Sequence, residues 1–361
     1  MTTASESEPI LYTVAPERWS REVRAWLAAR GIDQTVLFEV PMITRFRGVT
    51  RRRGILLHGP GGWGECAPFE EYGPAEASLW MHSAAEAASA GLSIPAIRDE
   101  VPVNVTIPVI SPEDAAHRAG LFGCRTAKVK VADPYSSIDE DEARVRSVAS
   151  VLAERFGEDA RVRIYANGAW GREEAIANIT CLNHAAEAVG GLEYAEQPCV
   201  SVEELAWVRA HVDVRIAADE SIRRAEDPFR VVEMDAADVA VIKVAPLGGV
   251  RRALNVAQKL PIPVVVSSAL DTSIGLAAGV TLAAALPDLP FACGLDTGTL
   301  LGADVVSSLL RSENGVLSLG RARKVLGSLS LVHSDVSSAD RKVLRDSGWI
   351  ERVEEMVEHL G

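Results

Sequence analysis

Lys128 and Lys130 stand two residues apart in TAKVKVA, a short run of small and β-branched residues beginning at Thr126. On a strand that spacing sends both side chains to one face and Val129 and Val131 to the other. Two neighbouring ammonium groups disfavour each other's charge, which is how a lysine becomes a proton acceptor near neutral pH. A third lysine, Lys243, interrupts the apolar run VAVIKVAP. A lone cation there needs a partner or a chemical role. Acids close two further runs: Glu196 ends GLEYAEQP, and Asp219 followed by Glu220 ends RIAADES. Strand alternation puts Glu196 on the face of Tyr194 and turns Glu193 away. Carboxylates gathered at strand ends suit a hard divalent cation bound through oxygen. Any one of them alone reads as a helix cap or a loop salt bridge.

These residues must be positioned by strands, and the chain supplies eight candidates. They are VPVNVTIP from Val101, TAKVKVA from Thr126, RVRIYAN from Arg161, GLEYAEQP from Gly191, RIAADES from Arg215, VAVIKVAP from Val239, PVVVSSAL from Pro263 and FACGLDT from Phe291. They recur at intervals of roughly 24 to 35 residues, with Ala-rich amphipathic segments such as DEARVRSVASVLAERF between them. Strand and helix in alternation predict a parallel sheet, and eight units predict its closure as a barrel whose site lies at the C-terminal strand ends. The chain before it reads differently. LFEVPMITRFRG, RRRGILLHG and GWGECAPF predict antiparallel strands, followed by a helix over about 75–90. The expected organisation is an α+β capping domain over 1–100, a barrel over 101–315, and a segment over 316–361 packing back on the cap. One amphipathic helix is expected from Ser338 to Leu360. Gly59, Gly61 and Gly64 fit a dinucleotide fingerprint, but they join two strands with no helix following, so a glycine-rich hairpin is expected.

The formal charge of −13 over 361 residues disfavours a polyanion partner, and an anionic substrate must be met by cations placed locally. Five scattered cysteines form no CxxC pair and read as small buried residues. The N-terminus lacks the basic-then-apolar pattern of a secretory signal, and the apolar stretch from Ile274 to Ala285 is too short to span a bilayer. A soluble cytoplasmic protein is expected.

Taken in order, TRFRG, WGECAP, AKVKVA, ANGAW, EQPC, AADESIRRAEDP, KVAPLGGV and VVVSSAL resemble the enolase superfamily, and within it the o-succinylbenzoate synthases, over about residues 36 to 320. The resemblance implies a modified (β/α)7β TIM barrel with an N-terminal capping domain, and Mg²⁺ held by acids on the third, fourth and fifth strands. Carried onto this chain, Lys130 is the general base and then the acid that protonates departing hydroxide. Lys128 tunes it and binds substrate, and Lys243 stabilises the intermediate from the opposite wall. Glu196 and Asp219 match the second and third metal ligands. Ser267 and Ser268 meet substrate oxygens, and Arg45 and Arg47 lie in a segment that closes over the site. The family's third-strand motif is Asp-Ala-Asn-Gly-Ala-Trp, whereas this chain has Tyr165 in the first place. A phenol is a poor magnesium ligand, because it is protonated at neutral pH and Mg²⁺ prefers carboxylate oxygen. Tyr165 then falls to the substrate, and Asn167 is the neutral oxygen that could stand in. Asp271 stands where glutamate is expected. The implied reaction is dehydration of 2-succinyl-6-hydroxy-2,4-cyclohexadiene-1-carboxylate in menaquinone synthesis. The alternatives are a metal-independent homologue catalysing cyclisation, isomerisation or elimination, an N-acylamino-acid racemase, and a non-catalytic relative.

Overall fold

The computed structural model describes residues 8–46, 48–224, 228–327, 330–332 and 337–360. The chain begins with β1 (Ile10–Thr13) and α1 (Arg21–Ala28), then β2 (Gln34–Phe46), β3 (Val49–Gly59), β4 (Gly62–Cys66) and α2 (Pro74–Ala90). The four strands form one antiparallel sheet in the order β1-β2-β3-β4. The three glycines belong to the β3–β4 hairpin, which turns at Gly59 and Gly62 and lies flat on α2. A Cβ on Gly64 would fall 2.0 Å from the Ala84 carbonyl oxygen. Close backbone approach is their role, not phosphate binding. β1 and α1 carried no sequence expectation. Their apolar residues go to both cores, Ile10, Val23 and Leu27 to the cluster of Trp80 and Leu11 to the other.

A short β5 (Glu100–Pro102) leads into the second layer system: β6 (Asn104–Ile107), α3 (Pro112–Leu121), β7 (Thr126–Lys130), α4 (Ile138–Phe156), β8 (Arg161–Tyr165), α5 (Arg172–Ala185), β9 (Leu192–Glu196), α6 (Val202–Arg209) and β10 (Ile216–Ala218). It continues through α7 (Glu220–Arg223), α8 (Arg230–Glu233), β11 (Val239–Ile242), α9 (Val250–Lys259), β12 (Val264–Val266) and α10 (Ser273–Ala285). β6 to β12 form a curled parallel sheet of seven strands in chain order. The eighth candidate, around Phe291, makes no strand. It closes the ring by two isolated parallel bridges, Cys293 to Val103 and Gly294 to Ser267. Its FACG stretch offers too few β-branched residues for a longer ladder. The apolar residues split by alternation into two sets. Val129, Val131, Ile164 and Ala195 pack outward against the helices, while Tyr194, Ala217, Val239, Val241 and Val265 fill the lumen. Serine capping boxes, Ser137 with Glu140 and Ser201 with Glu204, start α4 and α6. α10 is buried all round, as its unbroken apolar sequence requires.

The tail adds β13 (Val316–Ser318), paired with β5, then α11 (Leu319–Gly327), α12 (Ser338–Arg345) and α13 (Trp349–Glu358). The single helix expected over Ser338–Leu360 is two helices, because Gly348 takes a left-handed φ of +80° between them. α13 lies on α2 and α1, and its Trp349, Val353 and Met356 share an apolar cluster with Trp19 and Trp80.

Candidate active site

Lys128 and Lys130 lie on the lumen face of β7, only 7% and 9% exposed. The strand stops at Ala132, which takes φ +59° and donates its N–H to Asp141 Oδ2 at 2.7 Å. Arg144 and Ser136 hold that carboxylate in turn, so the end of the lysine strand is fixed by a buried acid from the following helix. Along the sheet the register sets Lys130 beside Tyr165 and Tyr165 beside Glu196, with Glu196 next to Ala217 on β10. Alternation fails at one point. A bulge between Val162 and Arg163 shifts the β8–β9 register, and Glu193, expected to point away, instead pairs with Arg163, whose guanidinium also lies over the Tyr194 ring.

The acids are already partnered. Lys128 Nζ donates to both oxygens of Glu196, at 3.0 and 3.1 Å. Lys243 Nζ donates to Asp219 Oδ2 at 2.5 Å and Arg223 Nε to Asp219 Oδ1 at 3.0 Å. Arg223 also reaches Glu220 and the hydroxyl of Tyr72, which comes from the loop before α2. The Tyr165 hydroxyl donates to Glu220 Oε1 at 2.8 Å, and its ring lies under two ammonium groups, Lys130 at 4.7 Å and Lys128 at 5.1 Å. Burial pushes Glu196 above the usual carboxylate range, against the pull of Lys128. Burial would raise Asp219 too, but Lys243 and Arg223 outweigh it and hold that carboxyl well below its ordinary value. Lys243 is pushed down by burial, with Asp219 opposing. Two adjacent acids and a lysine are thus driven in different directions by their surroundings, the signature of a tuned site.

Lys128, Tyr165, Lys243, Ser267 and Ser268 all line one cavity of about 30 Å³, together with Thr106 and Thr297. Ser268 and Thr297 share a hydrogen bond of 2.5 Å. Phe46, from the β2–β3 hairpin, and Phe69 cap the cavity. Arg45 is exposed and stacks over Tyr135, away from the lining, and Arg47 lies outside the described residues. Asn167 sits in a left-handed turn at φ +59°, beyond the end of β8, so strand alternation does not aim it at the acids. A larger cavity of about 540 Å³ between β1 and α12 contains none of the candidate residues.

The donor set does not fit Mg²⁺, which the family resemblance implies. That ion demands near-octahedral oxygen coordination with carboxylate charge. Both oxygens of Glu196 and of Asp219 are held by cations, and Tyr165 offers a phenol whose hydrogen is given to Glu220. Among the described residues no group of three or more His, Cys, Asp or Glu side chains is arranged to hold a metal.

Several positioning residues were given no role by the sequence, although Gln197 lies in EQPC and Glu65 in WGECAP. Gln197 is fully buried at φ +43°. Its side chain accepts from the N–H groups of Asp219 and Ser221 and donates to Ser221 Oγ, tying the ends of β9 and β10 together. Arg52 donates to the carbonyls of Leu270 and Ala269, and Glu65 accepts from Thr272 and Gly275. The antiparallel layer thereby holds the loop that carries Ser267 and Ser268. Glu65 is buried there with Asp271 half-buried beside it, and burial first, then Asp271, lifts Glu65 to about 7. Glu65 was in view as the acid of WGECAP without a role, and Arg52 as the middle of three arginines that open a strand.

Residues 112–323 match the enolase C-terminal domain-like family and residues 37–88 the enolase N-terminal domain-like family. The chain is similar to an o-succinylbenzoate synthase of Thermobifida fusca, 54% identical over 284 residues that cover 79% of this chain and 86% of the relative. It is also similar to the o-succinylbenzoate synthase of Mycolicibacterium smegmatis, 52% identical over 76% of this chain and 82% of the relative. In fold it resembles the L-Ala-D/L-Glu epimerase of Bacillus subtilis, with TM-score 0.66 and 22% identity, covering 79% of this chain and 94% of that one. A muconate lactonizing enzyme from Pseudomonas fluorescens gives TM-score 0.67 and 21% identity, covering 81% and 94%.

Proposed function

The chain belongs to the enolase superfamily, and from that premise we propose that it is a carbon–oxygen lyase of the o-succinylbenzoate synthase kind. The observation that carries the reading is the meeting of Lys128 and Lys243, from separate strands, on one cavity, with Lys130 beside them over the Tyr165 ring. The substrate is 2-succinyl-6-hydroxy-2,4-cyclohexadiene-1-carboxylate. Lys130 removes the proton alpha to its carboxylate, and the negative charge that develops falls between the ammonium groups of Lys128 and Lys243. The carbon–oxygen bond at the ring hydroxyl then breaks, and Lys130 returns its proton to the departing hydroxide. Water leaves and the ring becomes aromatic. Ser267, Ser268, Thr106 and Thr297 are placed to bind substrate oxygens around it.

Burial serves this chemistry, because charges largely surrounded by protein act more strongly than in bulk water. The lumen space holds no more than a water or two, so a six-membered ring enters only when Phe46 and the β2–β3 hairpin move aside. Residues 1–100 then serve as the cap, with Arg52 and Glu65 fixing the loop beneath it.

The test is formation of o-succinylbenzoate from the cyclohexadiene precursor, followed by ultraviolet absorbance with Mg²⁺ and again with EDTA. Turnover in either condition supports the lyase reading. Absence of product in both, from folded protein, sends the search to other carboxylates.

A further inference from the structure

We infer that this barrel mouth excludes a divalent cation and receives the substrate carboxylate directly on its own ammonium groups, with Tyr165 as the residue that decides it. The choice of carboxylate rests on the lyase reading; the exclusion of metal does not.

Three observations lead here. The first is occupancy of the donors. Lys128 spans both oxygens of Glu196, while Lys243 and Arg223 take one oxygen each of Asp219. Glu220 Oε2 is a buried carboxylate oxygen left without a hydrogen-bond partner. One such oxygen beside a phenol offers Mg²⁺ a single carboxylate contact, a weak return for an ion that gives up its water shell reluctantly.

The second is charge. Lys128, Lys243 and Arg223 converge on Glu196, Asp219 and Glu220, so each acid of this buried cluster already meets a cation, and Lys130 lies over the Tyr165 ring beside them. A divalent cation would add two charges where the acids are already matched, whereas a carboxylate is met by the ammonium groups directly. An aspartate at 165 would supply the missing oxygen charge. Tyrosine does not, and its ring becomes a π-face for Lys128 and Lys130.

The third points to the ligand. Thr106 Oγ1 is buried without a partner on the wall of the cavity, beside Lys128, where an oxygen ligand would complete it. A hydroxyl and two ammonium groups around one small space suit a carboxylate, which accepts on both oxygens.

The experiment measures metal and anion binding separately. Mn²⁺ is titrated into the full-length protein and the free ion is read by electron paramagnetic resonance. Binding of o-succinylbenzoate is measured by calorimetry in EDTA and in Mg²⁺. The expected result is no bound Mn²⁺ up to millimolar concentration, and o-succinylbenzoate binding of equal affinity in both buffers. Tyr165→Asp should gain a Mn²⁺ site at least about 100-fold tighter than the parent. Stoichiometric Mn²⁺ on the unaltered protein at micromolar levels would overturn the inference without any variant being made. A folded Tyr165→Asp protein that binds no Mn²⁺ removes Tyr165 as the deciding residue. Binding of o-succinylbenzoate only with Mg²⁺, or not at all, refutes the direct contact. Failure of turnover alongside these expected results sinks the lyase assignment and leaves metal exclusion standing. Mg²⁺-dependent turnover with bound Mn²⁺ does the reverse.

Discussion

The lumen of this barrel carries buried cations at two depths, and they are different cations. At the mouth stand Lys128, Lys130 and Lys243, beside Glu196, Asp219 and Tyr165. Two residues deeper on β8 stands Arg163, fully buried, bonded to Glu193, to Asn104 Oδ1 at 3.2 Å and to the Ala292 carbonyl at 2.7 Å. Its guanidinium lies 4.6 Å from the Tyr194 ring centre and 5.9 Å from that of Phe291. Burial works against its charge, but Tyr194 and Glu193 hold it above its ordinary value. Lys243, equally buried, is pushed down. A guanidinium that cannot lose its proton closes the floor, and amines that can lose one occupy the mouth. Lys128 and Arg163 are register partners on neighbouring strands, so the fixed charge and the titratable one are separated by where their side chains reach, Lys128 to Glu196 and Arg163 to Glu193.

The largest expected effect that would break this division is at the mouth. Lys130→Ala should lower kcat by roughly 100- to 10,000-fold while leaving the urea midpoint near that of the parent. Equal loss of stability and activity would make Lys130 structural. Arg163→Met should do the opposite. Removing one member of a buried ion pair costs about 3–5 kcal/mol in urea denaturation, with kcat per folded molecule changed less than about twofold. Beneath the mouth loop, Glu65 has a folded pKa of about 7, above its ordinary 4.5. Its folded form therefore keeps a proton that the unfolded chain has lost, so its contribution is present below about pH 4.5 and fades as pH rises to 7. The loss is on the order of 3 kcal/mol, and Glu65→Gln should flatten that slope in denaturation curves taken between pH 5 and about 8. The smallest effect is a shift in a limb. If Lys243 acts through its charge, kcat/KM should fall at alkaline pH below the ordinary lysine value of about 10.4, and Lys243→Arg should move that limb upward. A limb unmoved by Lys243→Arg assigns it to another group.

The barrel was legible because its strands are short β-branched runs between Ala-rich helices, a period that needs no tertiary information. The mouth residues were legible for a related reason. Charged residues at one parity of an apolar strand must all reach the lumen, as Lys128, Lys130 and Glu196 do. What escaped depends on partners distant in sequence. Arg163 obeys the same parity, yet the bulge that delivers Glu193 to it exists only when β8 and β9 are paired. Arg223 lay inside AADESIRRAEDP with no role of its own, and its place on Asp219 follows from the helical turn after β10. Gln197 has no parity at all, since its left-handed backbone takes it out of the strand. The break at Gly348 and the weak eighth strand were missed because each turns on one or two local conformations.

That eighth strand has a consequence for the order in which the protein is made. The barrel is zipped by backbone bonds among Pro102, Asn104 and Cys293, and among Val266, Gly294 and Ser268. Their two sides are separated by roughly 190 residues on the β6 side of the seam. At ribosomal speeds of about 5–20 residues per second, β6 waits on the order of ten to forty seconds for the stretch that closes against it. Through that interval the nascent sheet has an open edge, and the lumen that will hold three lysines is a groove open to solvent. Chemistry in this enzyme therefore waits for a stretch held by two isolated bridges, at Cys293 and Gly294.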